Sequence, residues 1–367
     1  MSRWPEVSLG EICDFKYGKS LPAKHRDGGV FPVFGSNGVV GRHSLAQSDG
    51  PTIIIGRKGS FGEVNYSPDS CWPIDTTYYI DSSATSVDLK WLARLLPTLG
   101  LTEMNRAAAI PGLNREDAYR SKVLLPPLDE QRRIAAILDK ADAIRTKRRQ
   151  TLTQLDLCPT AIYSQTVAPD TPIIRLGDIA QVKGGKRLPK GVSYSDQRTA
   201  HAYIRVSDFR DGYISDEDMP FLDLATFEKL KRYTVEANDV VISIAGSIGI
   251  TATIPKHLVG ANLTENAARI TPRSNAEAWH PEWVRMSLRS PGVQAQIRRA
   301  TGQVTIGKLA LFRIEDLQIS LPSVSVQQRF AKRLNAVAEL RRKIEMDLEH
   351  LDYLFASLQS RAFKGEL

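Results

Sequence analysis

LPPLDEQRRIAAILDKADAIRTKRRQTLTQLDLCPTAI, residues 125–162, opens with two prolines and runs on as a long helical pattern. Ile134, Leu138, Ala141, Arg145, Arg148, Leu152, Leu155, Pro159 and Ile162 fall at alternating spacings of four and three, the seam of a helix that pairs with another. The opening returns 196 residues later as LPSVSVQQR, residues 321–329. It is again followed by a seam: Phe330, Leu334, Val337, Arg341, Ile344, Leu348, Leu351, Phe355 and Leu358. Each seam carries an arginine at the same step, Arg145 and Arg341. A polar residue at such a position sets pairing register more than stability. The second helix, about residues 325–363, would span roughly 55–60 Å at 1.5 Å per residue. Proline lacks the backbone N–H and clashes with the preceding turn, so Pro159 predicts a kink or stop near Leu157. The bland alternative, an amphipathic helix lying on its own domain, needs fewer than nine seam positions.

Working outward, the remainder of each half also repeats. Leu9-Gly10-Glu11-Ile12, followed by Lys16, Gly18, Lys19, Leu21 and Pro22, returns at a constant offset of 167. The second copy is Leu176-Gly177-Asp178-Ile179 with Lys183, Gly185, Lys186, Leu188 and Pro189. Gly59-Ser60-Phe61-Gly62 is answered by Gly246-Ser247-Ile248-Gly249. Each follows a β-branched run (52–55, 240–244) that reads as a buried strand ending in a tight turn. The expected architecture is two α/β (α+β) heads plus long helices: heads at 1–128 and 169–324, helices at 129–168 and 325–367. The helices pair as an antiparallel coiled coil, giving a pseudo-two-fold internal repeat with a head at each end. Such an object could touch two separated places on one duplex.

The chain has 367 residues and a formal charge of +8, with 42% hydrophobic and 25% charged residues, a globular composition rather than a disordered or collagenous one. Much of the positive excess lies in residues 131–150, where seven Lys or Arg stand against two Asp. Basic patches, more than totals, mark nucleic-acid contact. Cys13, Cys71 and Cys158 are far apart, without CxxC or Cys/His ligand spacing, so neither a disulfide framework nor a zinc site is expected. No stretch has signal-peptide or membrane-span character, and a reducing, cytoplasmic setting is expected.

In these segments the chain resembles the specificity subunit of type I DNA restriction-modification systems. The resemblance covers essentially the whole chain. Its carriers are the repeated Leu-Gly-(Glu/Asp)-Ile opening with its Gly-Lys, the Gly-Ser-x-Gly turn, the Leu-Pro-Pro-Leu-x-Glu-Gln-Arg lead-in, and the ending Phe363-Lys364-Gly365-Glu366-Leu367. The resemblance implies that each head is a target-recognition domain for one half of a bipartite DNA sequence. The helices then act as a ruler and dock two methyltransferase subunits that methylate adenine N6 from S-adenosylmethionine. An ATP- and Mg-dependent restriction subunit can join them. This chain itself would bind no cofactor and no metal and do no chemistry. One departure is Ser325-Val326 in place of Asp129-Glu130, so any contact made by Glu130 is missing from the second half.

Catalytic alternatives have weak motifs. No Asn/Asp-Pro-Pro-Tyr/Phe methyltransferase motif is present, and Gly10 to Ser20 lacks phosphate-loop spacing. A magnesium nuclease could use Asp69, Asp88 and Lys90. Against it, Asp69 lies in a turn composition and Asp88 can cap a helix beginning near Leu89. A coiled-coil scaffold whose heads bind protein is the third reading.

DNA binding needs cations for phosphates and forked or planar groups for base edges. In the first head Lys16, Lys19, Lys24 and Arg26 are the expected phosphate anchors, with Arg57, Lys58 and Ser60 on the glycine turn. There Arg57 could reach a guanine O6/N7 pair, and the alternative is a solvated turn charge. In the second head Lys183, Lys186, Arg187 and Lys190 match the first cluster. Because Ile244-Ala245 replaces Arg57-Lys58, base reading there would fall to Ser247, Asn262 or Thr264, with Arg205, Ser207 and Arg210 as second-rank candidates. Leu138, Leu152, Leu334, Ile344 and Leu348, with Arg145 and Arg341, are expected to carry helix pairing. The basic run 145–149 is either a solvated face or a contact with partner or spacer DNA.

Overall fold

A computed structural model describes residues 4–104, 112–210, 212–274, 279–301 and 307–367. The chain divides into two compact units, residues 1–150 with 344–367 and residues 151–343. Two long helices, Leu128–Thr166 and Val324–Lys364, contribute to both.

In the first unit, Glu6–Ser8 pairs antiparallel with Lys122–Leu124 and leads directly into the short helix Leu9–Ile12. A four-stranded antiparallel sheet follows in the order Lys16–Tyr17, Thr77–Ile80, Thr52–Gly56, Val64–Ser67. The β-branched run 52–55 is its buried centre, with Ile53, Ile54 and Ile55 fully enclosed. A smaller sheet pairs Phe31–Gly35 with Gly38–His43 and, in parallel, with Trp72–Pro73. The helix Leu89–Leu95 starts at Asp88, whose carboxylate accepts the Trp91 backbone N–H at 2.9 Å.

The second unit repeats this plan. Ile173–Arg175 pairs with Gln318–Ser320 and leads into the helix Leu176–Ile179. The sheet order is Ala180–Gly184, Ala267–Pro272, Val240–Ser243, Thr251–Thr253, with a parallel pair Tyr203–Ile204 and Asn262–Leu263 beside it. The helix Pro281–Arg289 stands where Leu89–Leu95 stands in the first unit, each with a fully buried tryptophan as its third residue, Trp283 and Trp91. Among the described residues, the buried apolar side chains of this unit fall into four clusters, where most of those in the first unit form one.

Both seams face inward. Ile134, Leu138, Phe355 and Ala362 join the core of the first unit, and Ile162, Phe330 and Leu334 pack with Trp283 in the second. Leu152 and Leu348 are half-buried and Ile344 is buried, while Arg148 is exposed. Residue numbers rise along one helix as they fall along the other. Arg145 Nε donates to Asp352 at 2.6 Å and Arg133 to the Leu367 carbonyl at 3.1 Å in the first unit; in the second, Arg341 pairs with Asp156 and Tyr163 stands edge-on to Phe330. The helices are therefore antiparallel. The two ion pairs are copies of one another, since Arg145 and Asp156 each reappear 196 residues later as Arg341 and Asp352. Arg145 also lies over the Phe355 ring at 4.2 Å, so its charge is held inside the seam by a ring face and two carboxylates.

The helix does not stop at Leu157: Pro159 lies inside Leu128–Thr166. A proline forfeits one helical hydrogen bond, and here the next turn buries Ile162 and Tyr163 against Trp283, Met286 and Phe330. That burial offsets the loss. No described helix is long and apolar enough to cross a membrane.

The hydrogen bond from Arg145, followed by the charges of Arg145 and Arg149, holds the Asp352 carboxyl below its usual value. A carboxylate depressed in the folded state stabilises fully above its unfolded pKa, about 4, and loses that contribution as pH falls through the lowered value. The stability gap between the native chain and Asp352→Asn, read from urea midpoints, is therefore expected to be widest near neutrality and to close below about pH 4. The pair is partly solvated, so the gap is small.

Candidate nucleic-acid interface

Each Gly-Lys step is threaded against a neighbouring strand. A Cβ on Gly18 would lie 2.1 Å from the Ile74 carbonyl oxygen, and one on Gly185 would lie 2.1 Å from that of Thr264. Only glycine permits this approach. The following amides donate to Pro73 (Lys19, 3.0 Å) and Leu263 (Lys186, 2.8 Å). An aromatic tip then pins each lysine carbonyl, Trp72 Nε1 on Lys19 and the Tyr203 hydroxyl on Lys186, both at 2.8 Å. The ammonium groups lie over Trp72 at 5.9 Å and Tyr233 at 6.0 Å. Both lysines are exposed and carry no ion pair among the described residues, so their backbones are fixed and their charges are presented to solvent. Lys24, Lys58, Lys183 and Lys190 are likewise exposed and without an ion pair among the described residues.

The other expected cations are internally committed. Lys16 bonds Asp81 at 2.8 Å and Ser83 at 2.5 Å, and it helps hold the Asp81 carboxyl low against the effect of burial. Arg26 spends its guanidinium on the Leu21 and Val40 carbonyls, tying its loop to the strand Gly38–His43. Arg187 pairs with Glu265 at 2.7 Å. Arg205 pairs with Asp208 at 2.7 Å and donates to the Asp218 carbonyl, while Ser207 donates weakly to Asp208 at 3.4 Å. Arg210 is exposed and donates to the Ser207 carbonyl.

On the glycine turns, Ser60 and Ser247 are exposed. Asn262 is fully buried with its Nδ2 on the Leu230 carbonyl, and Thr264 is 6% exposed with its hydroxyl on Glu265. The interior position of Asn262 takes it out of reach of a base edge. Asp88 serves as the helix cap described above, Lys90 pairs with Asp139 at 3.4 Å, and the Asp69 carbonyl closes a turn with Ser67. Among the described residues, no group of three or more His, Cys, Asp or Glu is placed to hold a metal ion.

Arg57 and Lys58 are candidates already offered by the sequence, but the residues that surround them, Tyr17, Tyr78, Arg115 and Glu116, are not. Tyr17, Arg57, Lys58, Tyr78, Arg115 and Glu116 line a cleft of about 480 Å³ in the first head. The Arg57 guanidinium lies 5.0 Å from the Tyr17 ring and 5.9 Å from that of Tyr78, and its Nη1 donates to the Asp75 carbonyl at 3.1 Å. Arg115 lies 5.5 Å from the same Tyr17 ring. Tyr17 stands edge-on to Tyr78 at 5.2 Å and is half exposed. Tyr119 fixes the floor behind them, accepting from the Phe15 amide and donating to Asp14, and burial pushes its phenol pKa up.

Also missed were Gln131 and Gln327, buried at repeat-related positions of the two helix lead-ins. Each donates at 2.9 Å to the carbonyl of the proline five residues before it, Pro126 or Pro322. Gln131 additionally accepts the Asp88 amide at 2.8 Å, linking the lead-in to the helix Leu89–Leu95.

The arrangement defines a class: a duplicated α/β head, each copy closed by its own antiparallel helix segments and presenting lysines on a pinned Gly-Lys step. The type I restriction modification DNA specificity domain matches this chain twice, over residues 1–155 and 170–350, and the chain belongs to that family. Among curated proteins it is 27% identical to the type I restriction enzyme EcoprrI specificity subunit of Escherichia coli over 143 residues, 37% of this chain and 35% of that one. It is 26% identical to the EcoBI specificity subunit of the same organism over 168 residues, 45% and 35% respectively. The matched stretch thus spans about a third of each relative's length. The fold resembles the type I restriction-modification S subunit from M. genitalium, with a TM-score of 0.62 at 15% identity over 99% of this chain and 96% of that one. It also resembles a chain from a structure describing complex assembly and conformational transition of the type I R-M system, with a TM-score of 0.63 at 17% identity over 99% and 98%. At those identities the likeness is one of fold.

Proposed function

We propose that this chain is the non-catalytic DNA-recognition subunit of a cytoplasmic type I restriction-modification system, reading a bipartite target with heads at residues 1–128 and 169–324. The observation that carries the reading is the double family match laid over two heads that share a frame and differ in surface chemistry. Lys19, Lys24, Lys58, Lys183, Lys186 and Lys190 supply phosphate contacts, which raise affinity without selecting sequence. The helices at residues 129–168 and 325–367 set the spacing between half-sites and dock two copies of an adenine methyltransferase. Exposed apolar residues beside each repeated ion pair support that docking. Ile144 and Tyr353 flank Arg145 and Asp352, and their repeat equivalents Leu340 and Leu157 flank Arg341 and Asp156. S-adenosylmethionine belongs to the methyltransferase, and ATP and Mg to a restriction subunit where one is present.

The test is co-expression with its methyltransferase and genome-wide mapping of N6-methyladenine. Methylation at one bipartite motif with a fixed gap, lost when this chain is omitted, is the expected result. A methyltransferase that copurifies with the chain yet marks no bipartite motif would remove the reading. Binding by the complex should also weaken steeply as salt rises, which a protein-binding scaffold would not show.

A further inference from the structure

The two heads can be compared position by position around the Arg57 cleft, because their frames coincide. Tyr17 faces Tyr78 across the sheet as Gly184 faces Ala268. Lys58 bridges Gly112 as Ala245 bridges Lys308, and the Leu113 amide donates to the Arg57 carbonyl as the Leu309 amide donates to that of Ile244. Arg57 therefore corresponds to Ile244, Tyr17 to Gly184, Tyr78 to Ala268 and, at the offset of 196, Arg115 to Leu311. In the second head the space is closed by aliphatic carbon: a Cβ on Gly184 would already stand 3.7 Å from Leu311 Cδ1. The first head has a cationic aromatic cleft where the second has a plug.

Charge bookkeeping gives the cleft a direction. Arg57 has no ion pair among the described residues, and its Nη1 donates to the Asp75 carbonyl. Arg115 is restrained by Glu116 at 3.6 Å and Asp14 at 3.8 Å. Arg57, Lys58 and Arg115 against Glu116 leave the lining with an excess of positive charge. A guanidinium held within 5.0 and 5.9 Å of two ring centroids and bonded to a backbone carbonyl has already lost much of its rotamer freedom, so the rest of its fork is pre-organised for a planar acceptor pair. In duplex DNA the pair of acceptors with that spacing is the O6/N7 edge of guanine in the major groove.

Resting on the DNA-recognition reading above, we infer that Arg57, braced by Tyr17, Tyr78 and the Asp75 carbonyl, reads a guanine in the half-site of the first head. The second head reads its half-site without an arginine at that position. Tyr17 and Arg115 are positioning residues, acting through Arg57. The two half-sites are thus selected by different chemistry on one frame.

The experiment maps N6-methyladenine in cells carrying the methyltransferase with the native chain, Arg57→Ala, Arg57→Gln or Tyr17→Leu. The native motif is expected to hold an invariant guanine in one half. Arg57→Ala should relax that base pair alone by roughly ten- to hundred-fold in site preference, leaving the gap and the other half unchanged. Arg57→Gln should move the preference at that pair toward adenine, a shift that a merely structural role would not produce. Tyr17→Leu should relax the same pair more weakly. A native motif without guanine, an unchanged motif in both Arg57 variants, a uniform drop at all sites, or loss of folding in both variants would each overturn the inference. Absence of any bipartite motif with the native chain is a separate failure, that of the function itself.

Discussion

Gly18→Ala is expected to cost the first head about 3 kcal/mol or more, among the large effects that arise when a side chain is forced into backbone. The added methyl would sit 2.1 Å from the Ile74 carbonyl oxygen and 2.7 Å from both its carbon and the Pro73 oxygen, all main-chain atoms that a rotamer change cannot move. The strand Lys16–Tyr17 or the Trp72–Pro73 segment would have to retreat. Either movement breaks the Lys19 to Pro73 hydrogen bond and releases the lysine carbonyl from Trp72. Gly59→Ala separates this clash from conformational strain: Gly59 has φ +74° but nothing within 4 Å of an added Cβ, so only the left-handed penalty of about 1–2 kcal/mol applies. Because the chain has two units, a single melting temperature mixes them. Hydrogen exchange resolved by peptide reads the effect where it occurs. Gly18→Ala should deprotect residues 16–19 and 72–80 and leave 180–186 unchanged, and Gly185→Ala should do the reverse. Equal behaviour of Gly18→Ala and Gly59→Ala would mean that the close approach carries no weight.

What could be read in advance follows from the range of each interaction. The duplicated heads, the two long helices and their antiparallel pairing rest on patterns within seven residues or on segments repeated at fixed offsets, and both kinds are visible in one dimension. The shared seam positions of Arg145 and Arg341 are visible in the same way, though not their carboxylate partners, which lie 207 and 185 positions away. The surface is harder. Arg26, Arg187 and Arg205 are cations of the same kind as Lys19 and Lys186, yet loop closure ties the Arg26 guanidinium to backbone carbonyls and pairs Arg187 and Arg205 with carboxylates. Arg187 meets Glu265 across 78 residues. Asn262 sits in a Gly/Ala/Asn stretch that resembles a surface turn, but its pairing with Ala202 and Leu230 draws it inside. Tyr17 and Arg115 were unreadable for the same reason: the cleft exists only once the strand Lys16–Tyr17 has met the helix Arg115–Tyr119. Pro159 was misread because propensity was weighed without the tertiary docking that follows it.

That docking gives the second large effect. Phe330→Ala is expected to destabilise the second unit by about 3–5 kcal/mol, at the upper end for core truncation. Phe330 is 1% exposed and stands edge-on to Trp283 at 5.0 Å and to Tyr163 at 6.1 Å. The two neighbouring rings cannot collapse into the space it leaves, since Trp283 Nε1 is fixed to the Ser320 carbonyl at 2.8 Å and the Tyr163 hydroxyl to Ser287 at 3.1 Å. A cavity that cannot close adds its own cost to the lost transfer energy. Phe330→Leu, which keeps most of the volume, should cost less than half as much. The consequence reaches the helix Leu128–Thr166, because the turn after Pro159 is held by this cluster rather than by an unbroken ladder. In Phe330→Ala, amide exchange should accelerate over residues 160–166 far more than over 150–157, as the final turns detach at the proline. If both segments accelerate together, the helix is continuous for a reason other than the docking of Ile162 and Tyr163, and the account of why Pro159 is tolerated fails with it.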